Sequence, residues 1–167
     1  MRLFFAIWPG EAALGKLVEL AERVAESSGG RASPPGNIHL TLEFLGEVAD
    51  DRLPALQAIG AGVSTRSFRL ELDRLGAFRR ARVAWAGCET VPRKLLELQS
   101  TLAKALHVAG FELEDRPFAA HVTLAHKIER PPAFEAIEPI QWTVREFTLV
   151  RSQAGRYARI AAWRLQP

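Results

Sequence analysis

The sequence predicts an α+β fold: one bilobal domain over residues 1–167, with two mostly antiparallel sheets, helices packed outside and a central cleft. Three observations carry this. Stretches of helical and of strand periodicity interleave along the whole chain with no linker between them. The pattern HLTL at 39–42 returns as HVTL at 121–124, one copy in each half. The order of elements around the two copies is similar, strand and helix before the motif strand and further strands after it. A degenerate internal duplication would produce that order, with its halves in a pseudo-two-fold relation.

RLFFAI at 2–7 is rich in aromatic and β-favouring residues and is followed by Pro9-Gly10, so it reads as a strand and a turn. Leu14, Leu17, Val18, Ala21 and Val24 recur at helical spacing, which predicts an amphipathic helix over about 11–26. SSGGRASPPGN at 27–37 is a loop by composition, and IHLTLEFLG is the first motif strand. DDRLPALQAIGAG reads as a helix with Asp50 as N-cap and Leu53, Leu56 and Ile59 on one face. Phe68, Leu70 and Leu72 alternate with polar residues in a half-buried strand, and ARVAWAGC is its partner across a turn. Thr90 ahead of Pro92 reads as an N-cap, and Leu95, Leu98, Leu102, Ala105 and Leu106 carry a helix towards Gly110. FELE, HVTLAHK, QWTVREFTLV and RYARIAAWRL complete the strands.

The net charge of +3 and pI of about 9.5 are compatible with an anionic ligand such as RNA without requiring one. The single Cys88 excludes an internal disulfide and a Cys-based zinc site, and fits a reducing cytoplasm. The apolar start MRLFFAIWPG is far too short for a membrane span and lacks a basic stretch and a cleavage site.

The repeated motif carries the chemistry. With four His and seven Thr in 167 residues, two His-x-Thr pairs arise from composition with odds of roughly one in a hundred. On a strand, side chains two apart share a face. His39 and Thr41 therefore face one way and Leu40 and Leu42 the other; His121 and Thr123 oppose Val122 and Leu124 in the same manner. If the apolar pairs anchor the lobes, two imidazoles and two hydroxyls line one cleft. Phosphoryl transfer needs such a set: a base on the attacking oxygen, an acid on the leaving oxygen, and donors to the non-bridging oxygens. Histidine, with an ordinary pKa of about 6.5, serves as either acid or base near neutrality. A zinc site finds no patterned carboxylate here, and Thr is a poor zinc ligand. A serine hydrolase finds no GxSxG.

With RLFFAI, NIHLTLEFLGEV, RLGAF and RVAW, DRPFAAHVTLA, and LVRS with the Tyr and Trp near the end, the sequence resembles the two-histidine phosphoesterase superfamily. Within it, the likeness is to the bacterial and archaeal 2'-5' RNA ligase branch, whose members are RNA 2',3'-cyclic phosphodiesterases. It runs in order over nearly the whole chain. The resemblance implies motifs facing across a central cleft and opening of a 2',3'-cyclic phosphate to a 2'-phosphate, with neither metal nor other cofactor. It also implies 2'-5' joining of RNA ends at the same site, and RNA bearing cyclic phosphate ends, or cyclic nucleotides, as partners. Carried over, His39 protonates the departing 3'-oxygen, His121 deprotonates the attacking water, and Thr41 and Thr123 hold the non-bridging oxygens.

One position departs from the pattern. Where many relatives carry Arg after HxTLA, this chain has His126 and then Lys127, and His offers phosphate less than the fixed guanidinium fork. Lys127 is the candidate to supply the charge. Phe5, Phe118 and Tyr157 are candidates to stack on a base, and Arg79, Arg80 and Arg82 form a basic turn that can steer RNA. Trp8, Trp85, Trp142 and Trp163 are assigned to packing. Two rival functions stay open at this point: a phosphodiesterase of another cyclic nucleotide such as ADP-ribose cyclic phosphate, and a non-catalytic RNA-end binding module.

Overall fold

Nine strands and three helices succeed one another in the computed structural model, which describes residues 1–167. In chain order they are β1 (Arg2–Ile7), α1 (Glu11–Ser28), β2 (Arg31–Ala32), β3 (Leu40–Glu47), α2 (Leu53–Ala61), β4 (Phe68–Phe78), β5 (Val83–Gly87), α3 (Arg93–Val108), β6 (His121–His126), β7 (Ala136–Val144), β8 (Glu146–Gln153) and β9 (Arg156–Arg164).

The strands follow the order β7-β4-β5-β6-β3-β1-β8-β9, with the short β2 paired to β6. Neighbouring strands are antiparallel throughout. The two expected sheets are the two halves of this order, β7-β4-β5-β6 and β3-β1-β8-β9. They join at the two motif strands through one paired position, Leu40 with Val122. Each half runs outward from a motif strand to a strand that precedes it in sequence, β1 beside β3 and β5 beside β6.

The lobes are not the sequential halves of the chain. β8 and β9, from the C-terminal part, complete the lobe of β1 and β3. The helices cross as well. Leaving β1, α1 packs on β6 and β7 of the other lobe; leaving β5, α3 packs against β3 and α2, and α2 in turn against β9.

Amphipathic patterning explains the packing. Ala13, Leu17, Leu20, Ala21 and Val24 form the buried stripe of α1, which runs to Ser28 and ends where Gly29 adopts a left-handed φ of 74°. That conformation costs glycine little and closes the helix with a bond from its N–H to the Ala25 carbonyl. Leu95, Leu98, Leu102 and Leu106 are the buried positions of α3. Together with Leu40, Leu42, Val122 and Leu124 they belong to a single core of 34 buried residues that draws on both lobes. The motif leucines and valine thus point away from the cleft.

Several local expectations differ. Asp50 does not cap a helix: it opens a 3-10 turn, Asp50–Arg52, and α2 begins after it without a side-chain cap. Thr90 does not cap α3, which starts after Pro92; the turn before it is tied by the Glu89 N–H donating to Asp73 Oδ1 at 2.8 Å. FELE is not a strand. Its Phe111 instead closes the end of α3, donating its N–H to the Leu106 carbonyl and lying under the Arg52 guanidinium, 4.2 Å from the ring centre. QWTVREFTLV splits into β7 and β8 at Arg145, where the chain passes from β7, beside β4 in one lobe, to β8, between β1 and β9 in the other.

Candidate active site

Each motif histidine is held by the same local device. The His39 Nδ1–H donates to the Asn37 carbonyl at 2.7 Å, and the His121 Nδ1–H donates to the Ala119 carbonyl at 2.7 Å. A carbonyl only accepts, so in the neutral ring the proton sits on Nδ1 and Nε2 carries the lone pair. His39 Nε2 lies 2.9 Å from Thr41 Oγ1, whose hydroxyl donates to the neutral ring. The carbonyl two residues upstream of each histidine therefore sets tautomer and ring orientation in both lobes.

The strand register brings the motifs together. Leu40 pairs with Val122 in antiparallel sense. The adjacent positions of that register align His39 with Thr123 and Thr41 with His121. His39 and Thr41 line a cavity of about 300 Å³, with Phe4 and Tyr157. His121 lines an adjoining cavity of about 600 Å³, with Phe78, Phe118, Glu43 and Arg116. Arg2, Thr41 and Phe44 belong to both and form the passage between them. Thr123 is half-buried beside His121 on the same strand and lines neither cavity.

Both histidines stand among aromatic rings. Phe4, Trp8 and Tyr157 surround His39 with ring centres at 5.0, 5.2 and 5.3 Å. Phe78 and Trp85 flank His121 at 5.0 and 6.4 Å. Trp8 is itself fixed, its Nε1–H donating at 2.8 Å to the buried Thr148 hydroxyl, which donates onward to the Ala6 carbonyl at 3.3 Å. Burial in this setting pushes the pKa of His39 below 6.5; the Asn37 carbonyl offsets part of that, and the nearby His121 adds to the depression. His121 is lowered for the same leading reason, with the Ala119 carbonyl opposing and Arg116 adding to the effect.

The other candidates separate. Tyr157 lines the smaller cavity and Phe118 the larger. Phe5 does neither: it is 0 % exposed in the core, and the ring facing the site is that of its neighbour Phe4. Strand alternation decides this, since Arg2, Phe4 and Ala6 share one face of β1 and Leu3, Phe5 and Ile7 the other. His126 and Lys127 lie exposed at the far end of β6, where His126 pairs with Arg31 and Val83, and neither lines the two cavities. Arg82 is not a free cation of the basic turn, for its guanidinium donates to the Ile128 and Lys127 carbonyls. Trp8 and Trp85 do pack, but against the two histidines. Sequence reasoning missed Arg2, Phe4 and Phe78; alternation read outward from Arg2 is the signal for the first two.

No three His, Cys, Asp or Glu side chains converge as a ligand set for a metal. Burial, with Asp73 and Glu71 adding to it, pushes the Cys88 thiol up to about 11, which leaves it a poor nucleophile near neutrality. No helix is long and apolar enough to cross a membrane.

An antiparallel α+β sheet order folded about two adjacent His-x-Thr strands defines the class of two-histidine phosphoesterases. The chain belongs to the 2'-5' RNA ligase superfamily, whose family model matches residues 12–156. It is 32% identical to the RNA 2',3'-cyclic phosphodiesterase of Escherichia coli strain K12, with 98% of this chain and 96% of that protein aligned. It is also 32% identical to the Thermus thermophilus protein of the same description, over 92% of this chain and 82% of the other. Among solved structures, E. coli LigT complexed with 3'-AMP superimposes with a TM-score of 0.90 at 31% identity, covering 99% of this chain and 98% of that one.

Proposed function

We propose that the chain is an RNA 2',3'-cyclic phosphodiesterase that opens the cyclic phosphate of an RNA end or nucleotide to a 2'-phosphate. The observation that carries this is the matched pair of histidines, each with Nδ1–H held by a carbonyl so that Nε2 is the nitrogen that exchanges a proton, in two cavities that share Thr41. His121 Nε2 takes a proton from water as its oxygen bonds to phosphorus. The phosphorus–O3' bond breaks, and protonated His39 gives its Nε2 proton to the departing oxygen. Thr41 changes partners in this scheme: once His39 carries its second proton, the Thr41 hydroxyl is free to donate to a non-bridging oxygen. Thr123, aligned with His39 across the lobes, does the same from the other side.

In-line geometry orders the substrate. Both ring oxygens of a cyclic phosphate belong to one ribose, so the nucleoside lies on the leaving side, in the aromatic cavity of His39. The attacking oxygen enters from the cavity of His121. Arg2, at the passage, supplies a cation for the phosphate.

Residues 1–167 act as one two-lobed domain in this reading, which the single core supports. The unpaired Cys88 fits a reducing cytoplasm. The test is incubation with 2',3'-cyclic AMP in excess EDTA, followed by phosphorus NMR. Predominant 2'-AMP is the expected product; predominant 3'-AMP, or loss of turnover on chelation, contradicts the scheme.

A further inference from the structure

The cavity on the His121 side is larger than an attacking water needs, since about 600 Å³ lies within the range of ligand-binding pockets. Its walls are chemically specific. Phe44, Phe78 and Phe118 supply aromatic faces, and a polar pair joins them: Gln99, from α3, and Glu43, from β3 just past the bulge that follows Thr41. The Gln99 Nε2–H donates to Glu43 Oε1 at 2.6 Å. Only the amide nitrogen can donate to a carboxylate, so the Gln99 carbonyl oxygen remains an acceptor, as does the second Glu43 oxygen. No protein donor reaches either. The result is two neighbouring acceptors beside three phenyl rings.

We propose that this cavity is a second nucleoside subsite, which seats the 5'-terminal nucleoside of an attacking RNA strand and selects guanine through Glu43 and Gln99. Guanine alone among the four bases presents two adjacent donors on its pairing edge, N1–H and the 2-amino group. The phenyl rings suit a stacked base, as in other single-strand sites. A ribose diol could also meet two acceptors, but it has no use for the rings. The step balances without a co-reactant. The acceptor's 5'-hydroxyl loses its proton to His121, its oxygen bonds to phosphorus, the bond to O3' breaks, and His39 protonates O3'. A 2'-5' linkage remains. The proposal rests on the assignment of His121 to the attacking oxygen.

The experiment supplies one oligonucleotide ending in a 2',3'-cyclic phosphate with an equimolar mixture of four 5'-hydroxyl acceptors that differ only in their first base. Ligated products are counted by mass spectrometry, and hydrolysis of the four 2',3'-cyclic mononucleotides is measured alongside. Wild-type protein should favour the guanine-first acceptor by roughly tenfold or more, the scale of one bidentate base contact. Its hydrolysis of the four cyclic mononucleotides should lack that preference. In Glu43→Ala, and independently in Gln99→Leu, the acceptor preference should level out. Equal use of all four acceptors, or hydrolysis with no ligation of any, overturns the subsite. So does a guanine preference in hydrolysis that Glu43→Ala removes, because the cavity would then hold the donor nucleoside. Failure of wild-type protein to hydrolyse any cyclic nucleotide overturns the proposed function itself.

Discussion

In the proposed reaction, two imidazoles with identical hooks are told apart as acid and base only by their surroundings. Removing either ring should lower kcat by about 10²–10⁴-fold, the usual contribution of a general acid or base. Circular dichroism of His39→Ala and His121→Ala should stay native, because the rings face the cleft rather than the main core. The pH profile follows from burial. The base must be neutral and the acid charged, and both groups are depressed below 6.5 in the free protein. Both limbs of the kcat/KM bell therefore shift to the acid side, and its maximum should fall below pH 6.5, with apparent values that belong to the pair. A bound anionic phosphate favours the charged ring, so the kcat profile should lie at higher pH. Steady-state rates between pH 4.5 and 8.5 check both; a kcat/KM optimum above pH 7 contradicts the account. The shared face of His39 and Thr41 was legible in the sequence because period-two alternation ties one to the other. The ring facing His39 was misread because RLFFAI is apolar on both faces, so its two adjacent phenylalanines differ only in parity.

At the scale of elements, β1 and β8 brace the site from behind. The Thr148 hydroxyl accepts from the Trp8 indole N–H and donates its own O–H to the Ala6 carbonyl, and the Trp8 ring lies against His39. Thr148→Val keeps the shape and takes the partner from the half-buried Trp8 N–H, at a cost of about 1 kcal/mol. Urea melts should show that loss. With the ring less firmly placed, kcat should fall while the affinity for 2'-AMP changes little. On the other lobe Gly76 lies directly beneath Trp85, where a Cβ would collide with the indole that flanks His121. None of these supports could be read from spacing, because each joins strands far apart in the chain.

For the whole molecule, one core shared by both lobes predicts one cooperative unfolding transition. Tryptophan fluorescence and far-ultraviolet dichroism should melt together; two separate midpoints would mean lobes that fold apart. The class of fold and most elements were legible from periodicity, and so was the pairing of two lobes, from the repeated motif. The division of the chain between the lobes was not. A duplicated order suggests that each half builds its own lobe, whereas tertiary packing sends α1 over β6 and α3 over β3. Local pattern carries no information about which distant sheet a helix will cover.

The placement of β8 against β1 bears on how the molecule is made. Phe5 pairs with Leu149. Roughly 140 residues must leave the ribosome between them, which at the usual pace of synthesis takes on the order of ten seconds. For that interval the N-terminal strand, apolar on both faces, keeps one edge without its native neighbour. Such an edge invites mispairing with other nascent chains. A ribosome that stalls before β8 thus releases a chain with an open edge on β1. That chain carries both His-x-Thr strands but lacks Thr148 and Tyr157, the residues that brace and flank the His39 side.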